Sequence, residues 1–566
     1  MISMTELLTT ISIMFIVAGP FLLVANRFDL PTVPLLVIAG TIVGFFIDEA
    51  LTLELAQYGI ALLVFSFGVD IDLSAVRSVI RDSEVAALAQ IAVVGSLGVG
   101  LGLALGVPLE EALFLGVAAA LSSTLVGTAL LRTEITMNLL QGRLAQSIHF
   151  IQDLLAILFV LVLSAETLDA GPVTTMLGSG LALLVAAVLV NRYLFDAIGR
   201  LAGDSDELMI LGVVSLLAVF VGAAEYAGVS VAVGAFAAGL AVRHDPVEYL
   251  GLFNGLESIK DFFVAIFFLT VGALVVLPFV EIGWSESVEK LVLAGGLALL
   301  TVVVKPAITT AILLYRGYEP RSATLASLSS DQVSEFALII AIEALVLGLL
   351  TQSVFDAIIL AAAVTMIVSS LTKRYDERIY RVLADRGLLP ANHGKVDELS
   401  DVTGPLVDHV IIVGYGRHGQ KLVEACDADD TPYVVIENDP ARREAVVAEC
   451  DAYVFGDAME QYTWEKANVD DASLVVSTID SDPVSRRLLS FEFDADLTLR
   501  ASDRTIALEL LEAGALYVSQ PDVLAGKQLV SRIRRVLDDE LTPEALREEQ
   551  LTELNSIDHP EFQHRR

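Results

Sequence analysis

The sequence predicts a polytopic α-helical membrane domain of about 13 spans, followed by a cytoplasmic Rossmann-like α/β domain. Three observations carry this prediction. Apolar runs fill the stretch from Glu6 to Lys373, each about 17 to 27 residues long, the length that ~30 Å of hydrocarbon needs at ~1.5 Å rise per residue. Charge is sorted between alternate loops, and a glycine-rich strand-to-helix turn opens the polar last third. Of 566 residues, 55% are hydrophobic, and the mean hydropathy is +0.68, values that a soluble chain of this length does not reach.

The spans fall near 6–26, 31–48, 52–69, 84–107, 110–131, 145–165, 172–198, 206–226, 228–243, 256–279, 288–315, 322–347 and 351–372. The first has no basic flank and no small-residue cleavage site, so it reads as a retained span and not a signal peptide. Loops ending odd-numbered spans carry Arg27, Arg77, Arg132, Arg143, Arg243, Arg316 and Lys373. Those after even-numbered spans carry Asp48, Glu110, Glu166, Asp169, Glu225 and Glu281, with Lys290 as the exception. The positive-inside rule therefore puts the N-terminus outside a plasma membrane and the C-terminal domain in the cytoplasm. The expected division is a membrane domain over 1–375 and a linker over 376–406, interrupted by Pro390, Asn392 and Gly404. An α/β domain follows over 407–532, then a charged tail over 533–566, helical from Pro543 to Leu554 and disordered after it.

The chain carries 71 acidic against 35 basic residues, a net charge of -36. That balance excludes nucleic acid as a partner and leaves membrane lipid as surroundings only. Scarce Lys on so acidic a chain favours a halophile source. Cys426 and Cys450 both lie in the polar third, which reads as a reduced cytoplasmic domain with small buried thiols and no disulfide.

Polar residues inside the spans point to function. Gln152 and Asp153 sit mid-span in the sixth segment, where an ionisable side chain costs roughly 2.5–3.5 kcal/mol and so marks a candidate site. The fifth span holds Ser122, Ser123 and Thr124, and the twelfth holds Asp331, Gln332 and Glu335. Paired interruptions in two inverted halves are how transporters build a substrate site at the bilayer midplane; Ser and Thr alone would be ordinary interhelical packing. Lys305 precedes Pro306, which should kink the eleventh span. A buried Lys wants a carboxylate, either Asp153 or Glu335, unless it titrates. His149 lies one turn before Asp153 and reads as a packed or water-facing neutral side chain rather than a tuner of proton affinity.

The motifs ALSST, FIQDLLAI, VAVGAFAAGL, FFLTVGAL, Lys305 and DQVSEFAL, in that order, resemble cation:proton antiporter family 2, and within it the Kef-type potassium:proton branch. The resemblance implies two broken helices crossing at the site and a homodimer whose core domains move elevator-fashion against a scaffold. It implies that Asp153 alternately binds K+ or Na+ and the proton, with Gln152, Ser123 and Thr124 as neighbouring oxygens, and that Lys305, Gln332 and Glu335 complete the transport site. A carboxylate that cannot hold both ions couples their opposite fluxes. Gln152 stands where sodium-selective relatives place Asp or Asn, which favours a single titrating site, electroneutral exchange and potassium; a sodium:proton antiporter of the same fold is the alternative. Asp331 and Val333 depart from the glycines usual there, and Asp331 reads as a charge in a cytoplasmic vestibule.

In the last third, HVIIVGYGRHG supplies Gly414, Gly416 and Gly419 between a strand and a helix beginning near Gln420. Glu437 follows Gly419 by 18 residues, close to the spacing of a ribose-binding acid. An acid there favours NAD(H) or an AMP-type adenine nucleotide over NADP. The domain resembles the nucleotide-binding half of regulators of potassium conductance (RCK or TrkA-N type), which implies contacts from Gly414, Gly416, Glu437, Asp457 and Ala458. No catalytic constellation accompanies it, so the nucleotide is expected to regulate or stabilise a transporter and not to serve an enzyme. Kef-type proteins are gated by glutathione adducts, but no pattern here assigns a thiol-ligand pocket. A nucleotide-gated potassium channel is a remote alternative, since Thr270, Val271 and Gly272 are followed by Ala273 and Leu274, not by a filter sequence.

Overall fold

The computed structural model describes residues 4–556 apart from 29, 72–79, 137–138, 164–169, 204, 246–248, 390–392, 403–405, 492 and 539. Arg77, Glu166, Asp169, Pro390, Asn392, Gly404 and the tail beyond Ser556 lie outside the described residues. The chain forms two compact units, Met1–Gly394 and Lys395–Arg566.

The first unit is all helix. It opens with α1 (Met4–Phe28), α2 (Thr32–Val43), α3 (Glu49–Val69) and α4 (Ile80–Ala104). The fifth span is split into α5 (Leu109–Ala120) and α6 (Thr124–Leu130), and the short α7 (Arg132–Thr136) leads to α8 (Leu140–Leu163). Next come α9 (Ala170–Leu189), α10 (Phe195–Ala202), α11 (Asp206–Tyr226), α12 (Val231–Ala241) and α13 (Leu250–Ala273). The eleventh span is α14 (Trp284–Leu299) and α15 (Lys305–Tyr315), joined by a π-helical turn at Leu300–Val304. This widened turn sits immediately before Lys305 and Pro306 and absorbs the distortion that the proline imposes. The twelfth span is split into α16 (Pro320–Leu328) and α17 (Glu335–Val346), and α18 (Gln352–Asp385) closes the unit.

Among the described residues, nine helices are long and apolar enough to cross a membrane. Helical structure occupies each of the thirteen expected segments, with local corrections. α2 and α12 have only 12 and 11 residues, and α13 begins six residues before its expected start and ends at Ala273. The short helices are wedged in protein at glycine contacts. A Cβ on Gly239 of α12 would lie 2.2 Å from the Phe65 carbonyl oxygen, and one on Gly40 of α2 would lie 2.3 Å from that of Leu269. Thr270–Gly272 is ordinary helix inside α13, with the Thr270 hydroxyl donating to Phe267 O at 2.7 Å, so it does not form a filter loop.

Two packing groups result. α1, α2, α3, α11, α12 and α13 pack on one another, while α4, α5, α8 and α14 to α18 form the other group, which contains both broken spans. The thirteenth span continues as one helix to Asp385.

The second unit starts with α19 (Gly394–Leu399), whose Val396 enters that unit's core, and Asp401 pairs antiparallel with Tyr453. Six parallel strands follow in the order β3-β2-β1-β4-β5-β6: β1 (His409–Val413), β2 (Tyr433–Glu437), β3 (Tyr453–Phe455), β4 (Ala472–Ser477), β5 (Asp496–Arg500) and β6 (Tyr517–Ser519). Alternate residues of β1 enter different cores, Ile411 and Val413 one and Ile412 the other, as a sheet covered on both faces requires. The helix after β1, α20 (Arg417–Ala428), starts at Arg417, earlier than Gln420. α21 (Arg443–Glu449), α22 (Gln461–Lys466), α23 (Asp482–Leu489) and α24 (Arg504–Glu512) link the later strands. α25 (Pro521–Leu537) runs past the expected boundary at 532, and α26 (Pro543–Ser556) covers the expected tail helix.

Gly239→Val should lower the melting temperature of the detergent-solubilised protein, because overpacking costs about 1–3 kcal/mol. Gly222→Val, where a Cβ meets nothing within 4 Å, is the control that should leave it unchanged.

Candidate functional site

A helix broken inside a membrane exposes amide groups and carbonyls that no water can satisfy. In the fifth span Leu121–Ser123 is non-helical, and in the twelfth Ser329–Ser334 is. The structure brings these two breaks together and lets each serve the other. The Ser122 hydroxyl donates to Ser330 O at 3.2 Å, and Gln332 Nε2 donates to Ser123 O at 3.2 Å. Leu125 N donates to Glu335 Oε1 at 3.1 Å. Ser123 caps α6, accepting from Val126 N, and Ser334 caps α17, accepting from Phe336 N.

Lys305 closes this crossing. It is fully buried, and its Nζ donates to Leu121 O at 3.0 Å and to Gln332 O at 2.8 Å, one carbonyl from each break. The expected direct pairing with Asp153 or Glu335 is therefore corrected. Unwound carbonyls are partial negative charges fixed in place, and a single ammonium with three donors can serve both.

α8 presents Gln152 and Asp153 to the same place. Gln152 Oε1 accepts from Ser122 N at 3.0 Å, and its Nε2 donates to Ala120 O at 3.4 Å. Gln152 thus splices the fifth-span break with both ends of its amide. Asp153 is 1% exposed and accepts from the Thr124 hydroxyl through Oδ2. Glu335 lies near enough for the two carboxylates to interact, and the Ser123 hydroxyl also bonds its carboxylate. Asp153, Thr124 and Glu335 together offer hard oxygen donors with spare acceptor capacity. Ser123 contributes its hydroxyl to a helix cap and its carbonyl to Gln332.

Asp331 is also fully buried, which overturns its reading as a charge in a cytoplasmic vestibule. Its neighbours are Ser369 and Thr372 of α18 and Lys305. His149 is 1% exposed, with Nε2 3.1 Å from the Ser330 hydroxyl. Its ring fills the space beside Gly127, where a Cβ would meet Cε1 at 2.5 Å. Sequence reasoning missed Gln90 of α4, which donates to Ala120 O at 3.0 Å and accepts from the Thr309 hydroxyl at 2.8 Å. It also missed Thr365 and Ser369 of α18, which donate to or accept from the second break. The available signal for Gln90 was a lone amide in an otherwise apolar span.

In the second unit, Gly414 has φ +90, a left-handed turn that suits glycine, and a Cβ on Gly419 would lie 2.0 Å from Gly414 O. Glu437 is 6% exposed. Its Oε2 accepts from Tyr415 N at 2.7 Å, and its Oε1 accepts from Asn438 N and Asp439 N, each at 2.8 Å. About four lone-pair sites on a carboxylate leave it able to accept from a ribose hydroxyl as well. Asp457 accepts from Met459 N and Ala458 O from Trp464 Nε1, both at 2.9 Å, so these two shape the end of β3. Arg442 was not foreseen. A Cβ on Gly416 would lie 2.8 Å from its Nη1, so a guanidinium stands over the glycine turn where a phosphate approaches a helix N-terminus. These residues fit a bound nucleotide. Burial pushes the Cys450 thiol up to about 12, which keeps it protonated and inert.

Lys305→Met should lower the thermal stability of the purified protein markedly, since each orphaned carbonyl costs about 1–3 kcal/mol. An unchanged melting temperature would show that the two breaks do not depend on the ammonium.

Residues 11–374 match the family described as sodium/hydrogen exchanger, transmembrane, and residues 410–521 match the TrkA-N domain, a nucleotide-binding regulatory domain. The chain is 29% identical over 500 residues to the putative cation/proton antiporter YbaL of Escherichia coli (strain K12), covering 84% of this chain and 87% of that protein. It is 26% identical over 517 residues to the putative K(+) efflux antiporter KefB of Alkalimonas amylolytica, covering 88% and 75%. The solved structure of the sodium proton antiporter MjNhaP1 from Methanocaldococcus jannaschii aligns with a TM-score of 0.52 at 13% identity, over 66% of this chain and 98% of that one. This alignment shows a shared fold, and the relatives agree with the Kef-type resemblance. With its exchanger unit and its TrkA-N domain both matched, the chain belongs to the transmembrane sodium/hydrogen exchanger family.

Proposed function

We propose that this protein exchanges K+ for H+ across the plasma membrane, one for one, with Asp153 as the group that holds the cation and the proton in turn. The observation that carries the reading is a buried Asp153, at the junction of two helix breaks, facing a second carboxylate and hydrogen-bonded by a hydroxyl. An anion so placed is stable only with a proton or a cation beside it. Loss of either ion from one face therefore favours capture of the other, and coupling needs no separate gate. Glu335 is held by Leu125 N and stays the fixed member of the pair. Gln152 and Gln332 are committed to the backbone breaks, so they hold the site's shape and do not titrate. The two packing groups supply a core and a scaffold for elevator motion, and a homodimer would anchor the scaffold.

Potassium is preferred on Gln152 and on the names of the relatives; sodium remains the second reading, favoured by the fold shared with a sodium proton antiporter. In the cytoplasmic unit, the glycine turn with Arg442 would receive phosphate, and Glu437 would receive the ribose of NAD(H) or AMP. The role of that nucleotide is to regulate exchange. The N-terminus lies outside, by the loop charges.

In proteoliposomes containing a pH dye, potassium chloride should dissipate an imposed pH gradient more effectively than sodium chloride, and Asp153→Asn should be silent while remaining folded. Full-rate exchange by Asp153→Asn would sink the site assignment. Glu437→Gln should weaken NAD(H) or AMP binding about 10-fold or more, measured by calorimetry, since a hydrogen bond to a charged group is worth about 1.5–3 kcal/mol. Exchange should survive that change and lose its nucleotide dependence.

A further inference from the structure

A cavity of about 460 Å³ lies between the two packing groups, walled by α3, α8, α12 and α17. It is lined by Gln57, Val160, Ser230, Glu343 and Leu349, among others. Among the described residues that line it, Glu343 alone is ionisable. Val160 follows Asp153 by seven residues on α8, and Glu343 follows Glu335 by eight on α17, so the cavity lies about 10–12 Å along both helices from the crossing. Leu163 ends α8, Gly228 precedes α12, and Leu347 and Leu349 follow α17. All of these belong to the end of the bundle that the loop charges assign to the outside, opposite the end where α18 runs on to Asp385.

Glu343 is half-buried, and its carboxylate takes a hydrogen bond from the Ser230 hydroxyl. That same hydroxyl caps α12, accepting from Ala232 N at 3.2 Å. A carboxylate held by a helix cap, on the wall of a cleft between low-dielectric surfaces, focuses the field into the cleft. The volume admits on the order of ten waters at ~30 Å³ each, so an ion enters with its hydration shell. We propose that Glu343 is the cation-capture residue of the outer vestibule, collecting a hydrated alkali cation and delivering it along α8 and α17 to the crossing. Gln57 and Ser230 supply neutral oxygens on the same wall. This inference rests on the exchange reading above and adds the residue that sets outer-face affinity.

The test is Glu343→Gln in right-side-out and everted membrane vesicles, with Glu343→Asp as the conservative variant. The KM for the cation presented at the outer face should rise about 3- to 10-fold, with kcat and the inner-face KM within about twofold, and Glu343→Asp should restore most of the affinity. Equal KM changes on both faces, or no change on either, overturn the proposal. A readout independent of transport comes from Leu349→Cys. It should react faster with a membrane-impermeant cationic thiol reagent than with an anionic one, and adding Glu343→Gln should collapse that ratio. If wild-type protein shows no cation-dependent proton flux, the exchange reading fails. The reagent ratio then still decides the vestibule: a ratio insensitive to Glu343 overturns capture, and a sensitive one upholds it.

Discussion

The membrane unit depends on how it satisfies backbone that two broken helices leave unpaired in a low-dielectric interior. Each unmet group there costs as much as a lost hydrogen bond, or more. The solution is reciprocal: Ser122, Gln332 and Glu335 each bond the opposite break, and Lys305 takes one carbonyl from each. Gln90, Thr309, Thr365 and Ser369 brace the arrangement from α4, α15 and α18. Most of the polar residues in these helices therefore build a frame, and only a few oxygens keep spare acceptor capacity.

Those remaining oxygens concentrate on Asp153 and Glu335. A second buried ion pair lies elsewhere in the unit, between Lys290 and Asp356, supported by Val276 and Gln352. It shows the contrasting case, a carboxylate fully compensated by an ammonium, an amide and a backbone N–H, as a structural charge should be. Asp153 has no such compensation. Lys290 is also the basic residue that stood against the charge sorting of the loops, and its burial against Asp356 removes it from the set of loop charges that the positive-inside rule counts.

In the α/β unit, three glycines divide their work as the strand-turn-helix geometry demands. Gly414 makes the left-handed turn, Gly419 lets α20 approach β1, and Gly416 leaves room beneath Arg442. Glu437 binds the amides of its own loop and of Tyr415, so it holds the cradle together before any nucleotide enters.

The sequence by itself determined the two-part architecture, the order of the spans, both helix interruptions and the parallel α/β domain. Hydrophobic length, residue type and glycine spacing are local properties, and each is written in contiguous residues. It also singled out Asp153, Gln152, Lys305 and Glu335 as candidates, because polar side chains in apolar spans have few excuses. It did not determine whom Lys305 serves, that Asp331 is sealed, or that Arg442 overlies Gly416. It did not find Gln90 or Glu343. These depend on partners distant in the chain, up to about two hundred residues away for Lys305 and Gln90, and a one-dimensional pattern records no distance between them. Only the tertiary structure decided them, because packing chose which carbonyls face which ammonium and which carboxylates are buried beside one another.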